Sequence, residues 1–182
     1  MDAWSTRPDR GEHPTQLQLM RCKPGHPLGG IALGDEIVGA YTHYWKGRTS
    51  ICLHPTCEAC DALRAPRWYG YVCVMAEVGK ALALLELTPS CLPAIEDYLR
   101  DYGTLRGAKI VIARVNKKPN SRLQCTVTPG HFDKGVLPAG PDVKRHLCKI
   151  WELPALQQVI DQQHAALPIT NGRVRTMEPR RT

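Results

Sequence analysis

Three cysteines and two histidines crowd the segment YTHYWKGRTSICLHPTCEAC, residues 41–60. Cys57-Glu-Ala-Cys60 is a CxxC pair, Cys52 lies five residues before Cys57, and His43 and His54 flank Cys52. Zinc takes four soft or borderline ligands in a tetrahedron, and a CxxC turn supplies two neighbouring corners of one. Cys52 gives a third thiolate, which leaves the fourth position to a histidine. His54 is close in sequence, but its ring shares a tight loop with Cys52, which restricts the geometry. His43 ends the preceding extended segment and can reach back across a hairpin, so it is preferred, with His54 as the alternative. The expected site is structural and closed, since no second histidine or spare carboxylate marks an open catalytic position. Glu58, inside the CxxC, reads as solvated surface. A redox CxxC is the competing reading, disfavoured by the third cysteine and by the lack of a βαβ setting.

Aromatic and cationic residues surround these ligands. Tyr41, Tyr44, Trp45, Trp68, Tyr69 and Tyr71 are interleaved with Lys46, Arg48, Arg64 and Arg67. Single-stranded nucleic acid is held by this pairing of residue types: rings stack on unpaired bases at about 1–3 kcal/mol each, while cations follow the phosphates. Strand alternation puts Trp68, Gly70 and Val72 on one face and Tyr69, Tyr71 and Cys73 on the other, so only one set faces a ligand. The candidate contacts are Tyr44, Trp45, Lys46, Arg48, Arg67, Tyr69, Arg114, Lys117, Lys118 and Arg122. No catalytic residue is nominated. The chain shows no nucleophile–base pairing, no glycine-rich phosphate loop, and no His-x-Glu to complete a deaminase signature, so a non-enzymatic protein is expected.

The elements that must position these residues follow from periodicity and punctuation. A first strand is expected over 17–22, then a turn-rich connector. An extended segment over 31–44 is broken near Gly34-Asp35 and Gly39. A hairpin turn at Lys46-Gly47-Arg48 returns through 49–53. Residues 68–78 read as a strand, and 80–87 (KALALLEL) as its neighbour rather than a helix, given the flanking Gly79 and Pro89. Thr88-Pro89 starts a helix and Gly103 ends it, with Leu92, Ile95, Leu99 and Tyr102 as its apolar stripe. Strands over 109–115 and 122–128 form a hairpin, residues 130–144 a loop, and residues 152–166 a second helix. Residues 1–16 are expected to form a flexible arm, 17–166 one domain with its zinc knuckle at 43–60, and 167–182 a basic tail. The fold class is mainly β (α+β): an OB-type small barrel with an inserted zinc knuckle and one or two peripheral helices.

Composition limits the class further. The chain has 182 residues and a formal charge of +7. From residue 106 onward there are fourteen Lys/Arg against five Asp/Glu, and before it ten against twelve. A basic half suggests a polyanionic partner, with nucleic acid ahead of lipid because no basic amphipathic helix is visible. No apolar run approaches the ~20 residues that span a bilayer, and the start of the chain is not a secretory signal, so a cytoplasmic setting is expected. In that setting the eight cysteines read as thiols and metal ligands, with Cys22, Cys73, Cys91, Cys125 and Cys148 as small buried hydrophobes.

HYWKGRTSICLHPTCEAC, then RWYGYVCV, then LLELTPSCLPAIEDYLRDYGTLRGAKIVIARV and a basic hairpin, resembles bacteriophage single-stranded DNA-binding proteins of the T-even helix-destabilising type. The resemblance covers about residues 28–129. It implies an OB fold with a zinc subdomain held by one histidine and three cysteines in the order His43, Cys52, Cys57, Cys60, which adds to the preference for His43. It also implies sequence-tolerant binding of single-stranded DNA (RNA being an alternative ligand) and replication or recombination proteins as partners. The acidic tail of that family has no counterpart in RVRTMEPRRT, so recruitment through such a tail is not carried over. Two other readings compete. One is a protein-interaction adaptor or inhibitor from a phage or mobile element, acting on a nucleic-acid enzyme. The other is a zinc-ribbon reader of duplex DNA, disfavoured by the acidic Glu96, Asp97 and Asp101 of the expected helix.

Overall fold

A computed structural model describes residues 17–55, 57–77, 81–118, 121–130 and 136–153. The expected arm over 1–16, the tail over 167–182 and nearly all of the helix expected over 152–166 lie outside these residues. The two described positions of that helix, Glu152 and Leu153, are not helical, and Glu152 has a φ of 55°.

The chain is mainly β. Its strands are β1 (Gln18–Met20), β2 (Leu28–Ala32), β3 (Val38–Trp45), β4 (Arg48–Ile51), β5 (Arg67–Ala76), β6 (Leu82–Leu87), β7 (Ala108–Arg114) and β8 (Leu123–Pro129). Three helices accompany them: α1 (Glu58–Asp61), α2 (Leu92–Tyr102) and α3 (Val143–Ile150). Of the segment expected as a strand over 80–87, residues 82–87 form β6, and a strand rather than a helix is what the sequence reading expected there.

β5 organises the sheet. One edge pairs with β6 from Gly70 to Met75. The other edge is shared end to end, with β3 against Arg67 to Tyr71 and β2 against Val74 to Ala76. The break between β2 and β3 falls at residues 33–37, where the sequence places Gly34-Asp35. From β2 the sheet continues to β7 and β8, and from β3 it branches to β4. The path runs β1-β6-β5-β2-β7-β8, and among the described residues no pairing joins β1 to β8 to close it into the expected barrel.

Because β5 is covered on both faces, its sequence reads as an almost unbroken apolar run. Val72 and Val74 enter one core with Leu85, Leu87, Ile95, Ile110 and Ile112. Tyr71 and Cys73 enter the second with Val38, Leu84, Leu147 and Trp151. α2 covers the first and α3 the second. α2 follows a 3-10 turn, Pro89–Cys91, and stops at Gly103, whose φ of 72° only glycine adopts at little cost. Two details differ from expectation. Thr88 does not cap the helix, because its hydroxyl is engaged with Ser90 Oγ (2.9 Å) and Cys91 Sγ (3.7 Å). The stripe is also rotated: Tyr98 is buried, while Tyr102 is 54% exposed and stacks on Tyr98 from outside.

α3 is not anticipated by the sequence reading, which has a loop running to residue 144. Its start is fixed by Asp142, whose carboxylate accepts from Arg145 N–H at 2.9 Å. Arg106 holds the preceding loop onto the sheet, donating to the carbonyls of Leu33, Leu137 and Pro138. Among the described residues, no helix is long and apolar enough to cross a membrane.

Candidate metal centre and basic cleft

The β3–β4 hairpin begins the metal site. Lys46 and Gly47 have φ of 48° and 82°, the twist that a two-residue hairpin turn needs. The ladder continues one step beyond β4, as Cys52 N–H donates to Tyr41 carbonyl at 2.8 Å. This step sets Cys52 beside the face of β3 that carries Tyr41, His43 and Trp45. The CxxC then winds into the single turn of α1, with Asp61 N–H on the Cys57 carbonyl (3.0 Å) and Leu63 N–H on the Cys60 carbonyl (2.9 Å). Residues three apart on a helical turn share a face, so Cys57 and Cys60 point the same way.

His43, Cys52, Cys57 and Cys60 meet there, with one ligand atom of each lying within 4.8 Å of all the others. Cys52 Sγ is 3.5 Å from Cys60 Sγ, and Cys60 Sγ is 3.4 Å from His43 Nε2. Zinc–sulfur bonds of about 2.3 Å imply sulfur–sulfur edges of about 3.8 Å in a regular tetrahedron, so these separations fit one small cation at the centre. The other ring nitrogen, Nδ1, is buried without a hydrogen-bond partner. Packing on β3, not an outer acceptor, therefore orients the ring. His54 is exposed and stands outside the group.

The thiols have unequal acidity. Burial pushes Cys57 up, but backbone hydrogen bonds from Cys60, Leu53 and Ala59 and the Cys60 thiol outweigh it, so its pKa is lowered. Cys60 is pushed up to about 12 by its hydrogen bond to Cys52, with burial and Cys57 adding to the effect. A cation that binds these side chains takes the sulfurs as thiolates and so displaces their protons.

The candidate nucleic-acid contacts divide into two groups. Trp45, Lys46 and Arg48 border a groove of about 550 Å³ beside the metal site, between the hairpin and the end of α3. Both cations there have acidic partners: Lys46 with Glu58 at 2.7 Å and Arg48 with Glu152 at 3.8 Å. Lys46 holds the Glu58 carboxyl below its usual range, so Glu58 is a surface ion-pair partner rather than simply solvated. Tyr44 is 74% exposed, on the opposite face of β3 from His43.

Arg67, Tyr69, Arg114 and Arg122 gather elsewhere. With Trp68, Thr88, Pro89, Ser90, Ser121 and Leu123 they line a cleft of about 390 Å³ with no carboxylate among the described residues of its lining. Arg114 is partly committed to the fold, donating from Nε to the Cys22 carbonyl and from Nη1 to the Ser121 carbonyl, both at 2.8 Å. Arg67 and Arg122 are exposed. Tyr69 packs partly into the second core. Lys118 is exposed, just after a 3-10 turn at Val115–Lys117.

Sequence reasoning named Trp68 among the interleaved aromatics without nominating it as a contact, and it missed Thr88 and Ser90 as cleft residues. The available signal was the pair Gly39 and Gly70, which leaves the sheet bare beside Trp68. Of the five scattered cysteines, Cys22, Cys73 and Cys91 are buried, and Cys125 and Cys148 are half-buried. Cys91 is lowered to about 6 by a hydrogen bond from the Cys125 thiol, with burial opposing and Thr88 and Ser90 assisting, while Cys125 is correspondingly raised.

No protein-family model, no curated protein and no solved structure matches the chain.

Proposed function

We propose that the chain is a zinc-stabilised, non-enzymatic protein that binds single-stranded DNA with little sequence preference. The observation that carries this reading is the cleft whose described lining holds no carboxylate, where Arg67, Arg114 and Arg122 from three stretches of chain line the same pocket as Trp68. Cations can neutralise phosphates there while the indole accepts an unpaired base. Zinc is the cation of choice for three thiolates and one imidazole, and a set with no spare position makes it structural. Its part is to tie the hairpin to α1 and so fix the end of β3.

The test is the anisotropy of a labelled oligo-dT against a matched duplex at about 50 and 200 mM salt, a range over which counterion release weakens a multi-phosphate contact severely. Preferential, salt-sensitive binding of the single strand supports the reading. Equal or absent binding of both overturns it.

A second reading has its own observation. The groove beside the metal site is lined by Trp45, Ile51, Leu53, Ile150, Trp151 and Leu153, and its cations are already paired. Such a surface suits a protein partner, so the adaptor reading predicts weak DNA affinity and a tight protein complex.

A further inference from the structure

Gly39 of β3 and Gly70 of β5 are direct cross-strand partners. A Cβ on Gly39 would lie 2.5 Å from Trp68 Nε1 and 2.6 Å from Cζ2, and one on Gly70 would lie 2.7 Å from Cη2. These atoms span the indole from its pyrrole nitrogen to the far edge of its benzene ring. Trp68 therefore lies flat across both glycines, on the face of β5 that alternation assigns to residues 68 and 70. One ring face is against the sheet. Trp68 is nevertheless only half-buried and lines the cleft, so the other ring face is what the cleft presents.

The surroundings separate this from an indole that merely covers bare glycines, a common way of protecting a sheet. Arg67 and Arg122 are exposed and line the cleft with Trp68, and neither pairs with a carboxylate among the described residues. The volume of about 390 Å³ falls at the small end of the range for ligand sites, about 300–1,000 Å³. It suits one nucleotide and not a run of them.

Resting on the nucleic-acid reading above, we infer that the cleft is a socket for a single unpaired nucleotide, with its base stacked on the outer face of Trp68 and its flanking phosphates held by Arg67 and Arg122. The paired glycines make the platform, because any side chain at either position would lift the indole from the sheet.

The test uses the full chain with oligo-dT, an abasic oligomer of equal length, and Trp68→Ala and Trp68→Phe variants. Tryptophan fluorescence and anisotropy are the readouts. In the wild type, oligo-dT is expected to quench emission and the abasic oligomer to bind more weakly without that quenching. Trp68→Phe is expected to lose most of the quenching. Trp68→Ala is expected to weaken oligo-dT binding by about 5- to 150-fold, the span of one base stack. The same variant is expected to bind the abasic oligomer like the wild type. That last comparison distinguishes a lost stack from a damaged fold, which would weaken both oligomers together. If the wild type binds oligo-dT but Trp68→Phe keeps the quenching and Trp68→Ala keeps the affinity, the indole is only a cover and the inference falls. If the wild type binds neither oligomer, the nucleic-acid reading falls first and takes the socket with it.

Discussion

At the candidate metal site all four potential ligand residues come from one stretch between His43 and Cys60, whereas the cleft is assembled from four stretches of chain around residues 67–69, 88–90, 114 and 121–123. The two regions share a face of the sheet. β3 carries Gly39, Tyr41, His43 and Trp45 on that face, and Tyr41 pairs directly with Trp68 across the strands. Tyr41 also packs against the buried Cys52, Cys57 and Ala59. Their electrostatics differ sharply. Lys46 and Arg48 are each matched by an acid, whereas among the described residues the lining of the cleft has three arginines and no acid. Counting charges along the chain ranks the two sets alike, and only the fold shows which cations are already neutralised.

Metal loss is expected to have the largest effect, because it tests whether the two regions depend on each other. In Cys57→Ala/Cys60→Ala, bound zinc should fall from about one equivalent to nearly none, since two of four ligands cannot close a tetrahedral site. The two main cores contain none of these ligands, so far-UV circular dichroism should remain mostly native. Oligo-dT affinity should drop about tenfold or more, as the ladder that holds Tyr41 against Trp68 loosens. Elemental analysis showing one equivalent of metal retained by the variant would remove the site. Unchanged affinity after metal loss would show that the cleft stands alone.

The next effect contrasts the two sets of cations. Arg67→Glu/Arg122→Glu should weaken binding by about tenfold or more and flatten the salt dependence by about 1.4 in log–log slope, about 0.7 for each lost single-strand phosphate contact. Lys46→Glu/Arg48→Glu should change affinity much less, because those cations already face Glu58 and Glu152. Anisotropy titrations across salt measure both. If the second pair proves the more damaging, the binding surface belongs at the metal groove.

What was legible in the sequence follows the same division. Metal ligands must be close in space, and a CxxC turn makes two of them close in sequence as well, so Cys57, Cys60 and Cys52 could be read directly. His43 over His54 followed from strand geometry, and the structure brings His43 to the thiols and leaves His54 outside. The cleft had no local signature. Arg67, Arg114 and Arg122 could be nominated one by one, but their meeting depends on β5, β7 and β8 being placed by the forked sheet. Trp68 was passed over for Tyr69 because alternation gives two faces without saying which one is filled. Tyr71 and Cys73 fill the face that Tyr69 shares. α3 escaped because its charged residues, Lys144, Arg145 and Lys149, interrupt the apolar pattern, and its signal was the short-range cap of Asp142 on Arg145.

Gly70→Ala tests the platform itself. A methyl group 2.7 Å from the indole must displace it, and overpacking of this kind costs about 1–3 kcal/mol. A lower melting temperature with full metal content and weaker oligo-dT binding is expected. The same variant with native stability and native affinity would mean that the indole does not rest on the glycine pair.

The smallest effect should be a gain. Glu58→Gln/Glu152→Gln removes the acids that face Lys46 and Arg48 while keeping side chains of the same shape. Both pairs lie at the surface, with Lys46 and Glu58 at 67% and 75% side-chain exposure and Arg48 and Glu152 at 76% and 83%. Little folding stability therefore depends on them. The freed cations flank the same sheet face as the cleft, so they should attract the strand as it leaves the socket. Affinity for a long oligo-dT should rise about two- to threefold at low salt, and the rise should vanish at high salt as screening sets in. A short oligomer that cannot reach past the cleft should show no gain, which ties the effect to the path of the strand. If affinity does not change for either length, the metal groove lies off that path, and its two tryptophans are left to a protein partner.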